Sequence, residues 1–252
     1  MSPSIFGVRL DRISTPQELE DRCQRFLAGD RTRSIFTPNP EILVQARSDP
    51  GYAALLNTAD LLLPDGIGIV LVQSLRGQRG MRRWPGSDSA QIILDLVARS
   101  AGTVMLVGGR AGVALKAAAR LRGPRPGLTI ETVGEGVPFG ADGTAISPDD
   151  EVLVERRIQE VQPQVVLVGL GAPKQEQWIA RHARSFPSVR IMMTIGGAMD
   201  MWAGRLPRAP RILRSLGVEW LWRLVLQPSR LSRVIRATVV FPWRALREGG
   251  RP

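Results

Sequence analysis

Along the first two thirds of the chain, short apolar segments alternate with longer segments in which apolar residues recur every three or four positions. The first kind predicts buried β-strands and the second predicts amphipathic α-helices. Strands are predicted at "SIFT" (34–37), "DLLLP" (60–64), "TVMLV" (103–107), "LTIETV" (128–133), "QVVLVGLG" (164–171) and "RIMMTIGG" (190–197). Because nearly charge-free strands separated by helices are typical of a parallel sheet covered on both faces, the pattern predicts a Rossmann-like, doubly wound α/β fold.

Capping signals predict where several helices begin. "TPQE" (15–18) is a capping box with proline at the first helical position, so a helix is expected from Pro16 to about Ala28. Asp88 is expected to cap the helix in "DSAQIILDLVARS", and Ser147 the helix in "SPDDEVLVERRIQEV".

After about Trp202 no strand-like core segment follows. Residues 204–252 predict helices that break at Gly217 and Pro228. The formal net charge of the chain is +11, and eleven arginines against two glutamates put most of it in this segment. We therefore predict two parts: a Rossmann-like catalytic domain at residues 1–203 and a basic helical appendage at residues 204–252. Such a segment favours a polyanionic partner: anionic lipid, nucleic acid or the phosphates of a substrate.

Cysteine and histidine counts limit the chemistry. Cys23 and His182 are the only residues of their types. They exclude intramolecular disulfides and metal sites built from several such residues, and they argue against a Ser-His-Asp triad. We interpret Cys23 as a packing residue and His182 as a surface residue. No apolar run is long enough to span a membrane and no signal peptide is recognisable, so a cytosolic location is expected.

In open sheets of this class, ligands bind beyond the carboxyl ends of the strands. The residues there are Thr37 and Asn39, Asp65, Gly108 and Gly109, Gly169 to Gln175, and Gly196 to Asp200. Asp65, in "ADLLLPDGIG" (59–68), ends a predicted strand between Pro64 and Gly66. Two interpretations remain open for Asp65: a helix cap, or a catalytic base.

The other strand ends also allow two interpretations. "VMLVGGRAGVA" (104–114) has the glycine-rich turn that can hold a pyrophosphate, but it lacks the spacing G-x-G-x-x-G, so a structural turn is favoured over dinucleotide binding. Thr37 or Asn39 is expected either to bind a ligand or to cap the next helix. The position of Glu176 in the first turn of a predicted helix is explained by the favourable interaction of a carboxylate with the helix dipole. The side-chain amide of Gln175 has no such explanation and suits hydrogen bonds to a sugar or to the edge of a base. Neither Thr37 nor Gln175 is expected in the core.

Several motifs together resemble one family. They are "TPNPE" (37–41), "ADLLLPDG" (59–66), Arg83 with Gly86 and Asp88, "GAPKQEQW" (171–178), "IGGAMD" (195–200), "RAP" (208–210), and "GVEWLWRL" (217–224) with Pro228, Arg230 and Arg233. In this order and over nearly the whole chain, they are similar to the WecG/TagA/CpsF glycosyltransferases, which extend polyprenyl-diphosphate-linked sugars from nucleotide sugars.

The resemblance implies an inverting transfer in which an acceptor hydroxyl displaces UDP from the anomeric carbon. Asp65 is then expected to be the base, with Thr37 and Arg83 beside it in catalysis. The expected substrate-binding residues are Asn39, Gln175, Glu176, Gly109, Asp200, Arg223, Arg230 and Arg233. No cofactor is expected, and no metal, because the chain has no Asp-x-Asp pair and arginines can neutralise the leaving diphosphate.

We therefore expect an enzyme that moves an N-acetylmannosamine-type sugar from UDP to a polyprenyl-diphosphate-linked acceptor in the synthesis of a wall polymer or cell-surface polysaccharide. It would be peripheral on the inner face of the cell membrane, with no nucleic-acid partner. Transfer from UDP-glucose or UDP-glucuronate stays open, as do a non-catalytic basic nucleotide-binding protein and a nicotinamide-dependent oxidoreductase. The appendage is expected at an anionic membrane surface; a solvated basic end and a contact surface of a homo-oligomer are the alternatives.

Overall fold

A computed structural model describes residues 3–78, 80–210, 212–213 and 217–248; of residues 223 and 230 it describes the backbone but not the side chains. The strands are β1 Ser4–Ile5, β2 Val8–Arg9, β3 Arg33–Phe36, β4 Leu61–Leu62, β5 Thr103–Gly108, β6 Thr129–Val133, β7 Val165–Gly169 and β8 Ile191–Thr194. Strands β3 to β8 form one sheet in the order β4-β3-β8-β7-β5-β6, and all its pairs are parallel. This confirms the Rossmann-like fold. The antiparallel hairpin β1–β2 was not predicted.

The helices are α1 Pro16–Leu27, α2 Pro40–Ser48, α3 Pro50–Asn57, α4 Ile67–Leu75, α5 Gly86–Arg99, α6 Val113–Arg122, α7 Pro148–Val161, α8 Lys174–His182, α9 Ala198–Trp202, α10 Glu219–Leu226, α11 Leu231–Ile235 and α12 Phe241–Glu248. A 3₁₀ turn at Pro228–Arg230 precedes α11, and a π-helical segment at Arg236–Val240 joins α11 to α12.

The sheet separates two apolar layers, because successive strand residues point to opposite faces. In β5, Val104 and Leu106 face the layer formed with α1, α5, α6 and α9. Met105 and Val107 face the layer formed with α2, α3, α4, α7, α8 and α12. Cys23 is buried in the first layer, as predicted.

The predicted capping is right for α1 and wrong for α5. Thr15 Oγ1 accepts a hydrogen bond from the N–H of Glu18 at 3.1 Å. The helix α5 begins three residues earlier than expected, with Pro85 instead of Asp88 at the N-cap position, so Asp88 lies inside its first turn. Ser147 occupies the N-cap position of α7 without a capping hydrogen bond from its side chain.

The C-terminal helices pack on the rest of the chain. Phe241 and Ala245 of α12 are fully buried in the layer that contains α2 and α4. The Phe241 ring meets the Phe6 ring edge-on at 6.0 Å between centroids, and Arg76, directly after α4, donates to the carbonyl oxygen of Ala245. No described helix is both long and apolar enough to cross a membrane. The domain boundary at residue 203 stays a prediction.

Candidate active site

The carboxyl ends of β3 and β8 are joined by two hydrogen bonds. The N–H of Thr37, directly after β3, donates to Thr194 Oγ1 at 3.1 Å, and the Thr37 hydroxyl donates to the Thr194 carbonyl oxygen at 3.3 Å. Thr37 is 8% exposed, so the expectation that it lies outside the core is wrong. Its hydroxyl nevertheless lies at the edge of the sheet where ligands bind in this fold.

Asp65 lies beside the turn that follows β3, because its N–H donates to the Pro38 carbonyl oxygen at 2.9 Å. The next residue, Gly66, has φ +143°, and a Cβ there would come within 2.8 Å of Pro40 Cδ. Only glycine allows this close approach. Gly66 also occupies the N-cap position of α4, so Asp65 stands one residue before the position from which side chains usually cap a helix. Asp65 is half-buried.

Asn39 caps α2, because its Oδ1 accepts from the N–H of Ile42 at 2.9 Å. This capping interpretation was one of the two that the sequence left open. The side-chain amide N–H groups of Asn39 are not used by that bond, and the residue is half-buried at the same turn as Thr37.

The start of α5 closes the site from the other side. The backbone N–H of Trp84 donates to the Pro64 carbonyl oxygen at 2.7 Å, and a Cβ on Gly86 would come within 3.0 Å of Thr37 Oγ1. The half-buried Arg83 lies in the same segment. Asp88, in the first turn of α5, pairs with Arg208. The motifs around Arg83 and "RAP" therefore meet in space.

Gln175 belongs to a buried hydrogen-bond chain. Its Oε1 accepts from the N–H of Gly196 at 3.1 Å, and its Nε2 donates to Glu176 Oε1 at 2.8 Å. The hydroxyl of Tyr52 in α3 donates to Glu176 Oε2 at 3.3 Å. Gln175 is 3% exposed and Glu176 1%, so both lie beneath the strand ends, and the expectation that Gln175 lies outside the core is wrong.

The burial of Glu176 changes its acidity. Burial raises the pKa of Glu176 from its usual 4.5 to about 7, against the opposing effect of the hydrogen bonds from Gln175 and Tyr52. Burial and the adjacent Glu176 also raise the pKa of Tyr52 far above its ordinary range. Near neutral pH, the charge on Glu176 therefore responds to small changes of its surroundings.

Gly109 follows β5 with φ +89°, and a Cβ there would come within 3.1 Å of Met199 Sδ. Met199 is 2% exposed and also lies against Gly169 at the end of β7. The thioether thus fills the space between these two strand ends. Asp200 lies one residue further in α9 and pairs with Arg205, Oδ1 to Nε at 3.6 Å.

The C-terminal segment reaches the Thr37–Asp65 side of the site. Arg233 Nε lies 3.6 Å from Oε1 of Glu41, in the first turn of α2. The predicted break at Pro228 is confirmed, because α10 ends at Leu226 and a 3₁₀ turn begins at Pro228. Arg223 therefore lies on a different helix from Arg233. The side chains of Arg223 and Arg230 lie outside the described residues.

A model of the glycosyl transferase WecG/TagA/CpsF family matches residues 3–252. The chain belongs to this family. Similar proteins include the N-acetylglucosaminyldiphosphoundecaprenol N-acetyl-beta-D-mannosaminyltransferases of Staphylococcus aureus strains MRSA252 and NCTC 8325 / PS 47. Each is 32% identical over 232 residues, which cover 91% of this chain and 87% of the relative. The family resemblance inferred from the motifs is thus confirmed, and the chain is a glycosyltransferase.

In this glycosyltransferase, the turn after β5 does not favour a dinucleotide. Both carboxylate oxygens of Glu135 accept hydrogen bonds at the N-terminus of α6, from the N–H groups of Gly112 at 3.1 Å and Leu115 at 2.6 Å. A pyrophosphate would need these N–H groups and would be repelled by the carboxylate. The geometry therefore argues against the nicotinamide alternative.

A surface groove of about 520 Å³ lies elsewhere, between the end of β6 and α7. Its arginines are already paired: Arg157 with Glu131 at 2.9 Å, and Arg156 with Glu160 at 2.9 Å. Neutralised charges make it a weaker candidate for a diphosphate than the strand ends near Asp65.

Two contacting residues, Thr194 and Tyr52, were missed by sequence reasoning. Thr194 ends an otherwise apolar strand, and this polar residue within "IMMTIGG" was the available signal. Tyr52 gave no such signal, because its partner Glu176 is 124 positions away in sequence. Arg208 was recognised within the "RAP" motif, but its pairing with Asp88, 120 positions away, was not predicted. The surface prediction for His182 is wrong: the residue is 1% exposed and its ring stacks on Trp178 at 4.2 Å between centroids.

Proposed function

We propose that this glycosyltransferase moves an N-acetylmannosamine-type sugar from UDP to a polyprenyl-diphosphate-linked acceptor, with inversion at the anomeric carbon. The observation that carries the proposal is the half-buried Asp65, whose backbone N–H is held by the Pro38 carbonyl oxygen in the turn after Thr37, at the carboxyl edge of the sheet. The acceptor and sugar are proposed because the similar staphylococcal proteins are named for N-acetylmannosaminyl transfer to N-acetylglucosaminyl-diphosphoundecaprenol.

An inverting displacement needs one base, which takes the proton of the acceptor hydroxyl as that oxygen attacks the anomeric carbon. We assign this role to Asp65. The bond from the anomeric carbon to the diphosphate oxygen breaks, and the electron pair leaves with UDP. Arg83, together with arginines of the C-terminal segment, would neutralise the charge that develops on the diphosphate.

The remaining residues would hold the substrates. Thr37 and Asn39 offer a hydroxyl oxygen and amide N–H groups to the acceptor sugar at the turn beside Asp65. Gly109, whose missing side chain leaves room for the Met199 thioether, would contact the donor through its backbone at the end of β5. Gln175 and Glu176 support the β8–α9 turn from beneath, and Asp200 lies in the helix that follows this turn.

We further propose that the C-terminal segment lies on an anionic membrane surface at the cytoplasmic face. Residues 231–248 carry an exposed apolar stripe at a spacing of four, four, four and three residues, formed by Leu231, Ile235, Val239, Trp243 and Leu246. Arg247 lies over the Trp243 ring at 4.3 Å. Apolar and aromatic residues beside arginines are typical of interfacial helices, and each basic residue adds about 1 kcal/mol near anionic lipid.

The test is a transfer assay on the full-length chain. UDP-linked N-acetylmannosamine, glucose and glucuronate are each supplied with polyprenyl-diphosphate-N-acetylglucosamine in anionic vesicles, and released UDP and lipid product are measured. We expect acceptor-dependent UDP release with the first donor and an inverted linkage in the product. Turnover with glucose or glucuronate alone would reassign the donor. UDP binding without release from any donor would support the non-catalytic alternative and refute the proposal.

A further inference from the structure

Three ligand-type side chains meet between α7 and α8. Glu151 and Glu155 lie one turn apart on α7 and therefore share a face of that helix. His182 Nε2 lies 2.9 Å from Glu155 Oε1 and 3.4 Å from Glu151 Oε1, and one ligand atom of each residue lies within 4.8 Å of the others.

The hydrogen-bond geometry of the His182 ring makes this cluster unusual. Its Nδ1 lies 2.9 Å from the Trp178 carbonyl oxygen, which can only accept, so Nδ1 carries a hydrogen and donates it. In a neutral ring, the lone pair of Nε2 then faces two carboxylate groups that also only accept. The side chain is 2% exposed, so solvent cannot readily satisfy this lone pair. A cation between Nε2 and the carboxylates removes the conflict.

We propose that His182, Glu151 and Glu155 bind a divalent transition-metal ion of the zinc class. Zinc lies about 2.0–2.2 Å from imidazole nitrogen and carboxylate oxygen, so two ligands at the tetrahedral angle are about 3.4 Å apart. The pair His182–Glu151 already has this separation, and Glu155 must move by about half an ångström from its 2.9 Å contact to reach it. Metal-bound histidines usually donate the other ring N–H to a carbonyl or carboxylate, as His182 does.

The surroundings allow an ion to enter. Glu151 is held by the N–H of Ala145, which donates to its Oε2 at 2.6 Å and leaves Oε1 on the His182 side. The Glu155 side chain is 42% exposed, which provides an entry path and a position for a water ligand. Arg181 lies 3.3 Å from Glu151 Oε1 and competes with the ion, but its bond to the Asp142 carbonyl oxygen can hold it when the ion binds.

The ion is structural. It connects α7 to α8 two turns after Gln175, whereas Asp65 follows β4 at the edge of the sheet. Because binding favours the folded state, the ion is expected to raise the melting temperature, by an amount that grows with the logarithm of its concentration relative to its dissociation constant.

The test uses the full-length chain without a polyhistidine tag, freed of metal by chelation and titrated calorimetrically with zinc. We expect one ion per chain and at least a tenfold loss of affinity in Glu155→Gln. Glu160→Gln is the matched control, because Glu160 lies on the same helix and pairs with Arg156 and Arg157 instead. It should bind zinc as the unchanged protein does, and at one zinc concentration the melting temperature of both should rise by more than that of Glu155→Gln.

Magnetic resonance provides a second readout that does not depend on a variant folding. His182 is the only histidine, so the ring ¹⁵N signals belong to it without assignment. Zinc should shift the Nε2 signal strongly and leave Nδ1 protonated. Absence of saturable binding, equal affinity in Glu155→Gln, or a ring that stays doubly protonated in excess zinc would each overturn the proposal.

Discussion

The buried Glu176 allows a quantitative prediction of how stability depends on pH. Its pKa is about 7 in the folded chain, against a usual 4.5. The folded state therefore binds more protons than the unfolded state between these values, so this group lowers the free energy of unfolding as pH rises from about 4.5 to about 7. The difference in pKa corresponds to about 3 kcal/mol, all of it lost above about pH 8.

The substitution Glu176→Gln should remove this loss of stability at high pH. A glutamine keeps the contact with Gln175 through its carbonyl oxygen, and its amide can donate to the Tyr52 hydroxyl, so it resembles the protonated acid. At pH 5 the variant and the unchanged protein should unfold at similar urea concentrations. At pH 8 the variant should be more stable by about 3 kcal/mol, or roughly 6–12 °C in melting temperature for a chain of this size.

Urea unfolding, followed by circular dichroism from pH 5 to pH 8, measures the difference in the free energy of unfolding between the variant and the unchanged protein. The other titrating groups are the same in both proteins, so their contributions cancel in this difference. Glu160→Gln, on the surface of α7, is the control and should show no such pH-dependent gain. A stability difference that stays constant over this range, or a variant that is less stable at pH 8, would refute the assignment of a raised pKa to Glu176.

Four further predictions concern the reaction and the C-terminal segment. Asp65→Asn should lower transfer by about 10²–10⁴-fold while UDP binding, measured by calorimetry, survives; near-normal turnover would show that Asp65 is not the base. Transfer should persist in EDTA, since arginines replace a metal at the diphosphate; a loss that magnesium or manganese restores would contradict this. Replacing Arg223 and Arg230 by glutamine should reduce transfer more than vesicle binding, whereas replacing Arg244 and Arg247 should do the reverse; equal effects of the two pairs on transfer would remove the first pair from the mechanism. Phe241→Ala should cost about 3–5 kcal/mol in urea unfolding, and Trp243→Ala, whose side chain is 55% exposed, should cost far less; a similar cost for both would mean that α12 does not pack as described.

The sheet could be predicted because its signal is local. Strands such as β5 and β7 are uninterrupted apolar runs, and their alternation with helices admits few other folds. Strands β1, β2 and β4 have two residues each, too few to show a periodicity. Strand β4 was therefore predicted too long, and the hairpin β1–β2 was missed.

At the candidate site, the sequence indicates which residues follow the strands but not which way they point. Gln175 and Asn39 were both recognised as polar residues at strand ends. One amide is buried and bonded to Glu176 and Gly196, and the other caps α2. Their partners lie on other elements or depend on where a helix begins, so spacing along the chain could not distinguish a ligand contact from an internal hydrogen bond.

The C-terminal segment shows the same limit most clearly, because its composition fits two environments at once. Its apolar residues recur at helical spacing, and a membrane or a protein surface could cover them equally well. The structure divides them: Phe241 and Ala245, four residues apart, pack into the protein core, whereas Val239, Trp243 and Leu246 stay exposed. A helix bound to the core on one side presents the other side in a fixed orientation. Because Arg233 of the same helical run also reaches Glu41 beside the candidate site, docking of the exposed stripe on a bilayer would hold that site at a fixed height above the lipid head groups. The diphosphate of the proposed lipid-linked acceptor would lie at the level of those head groups, which would give a physical reason for one segment to carry both the apolar stripe and the arginines.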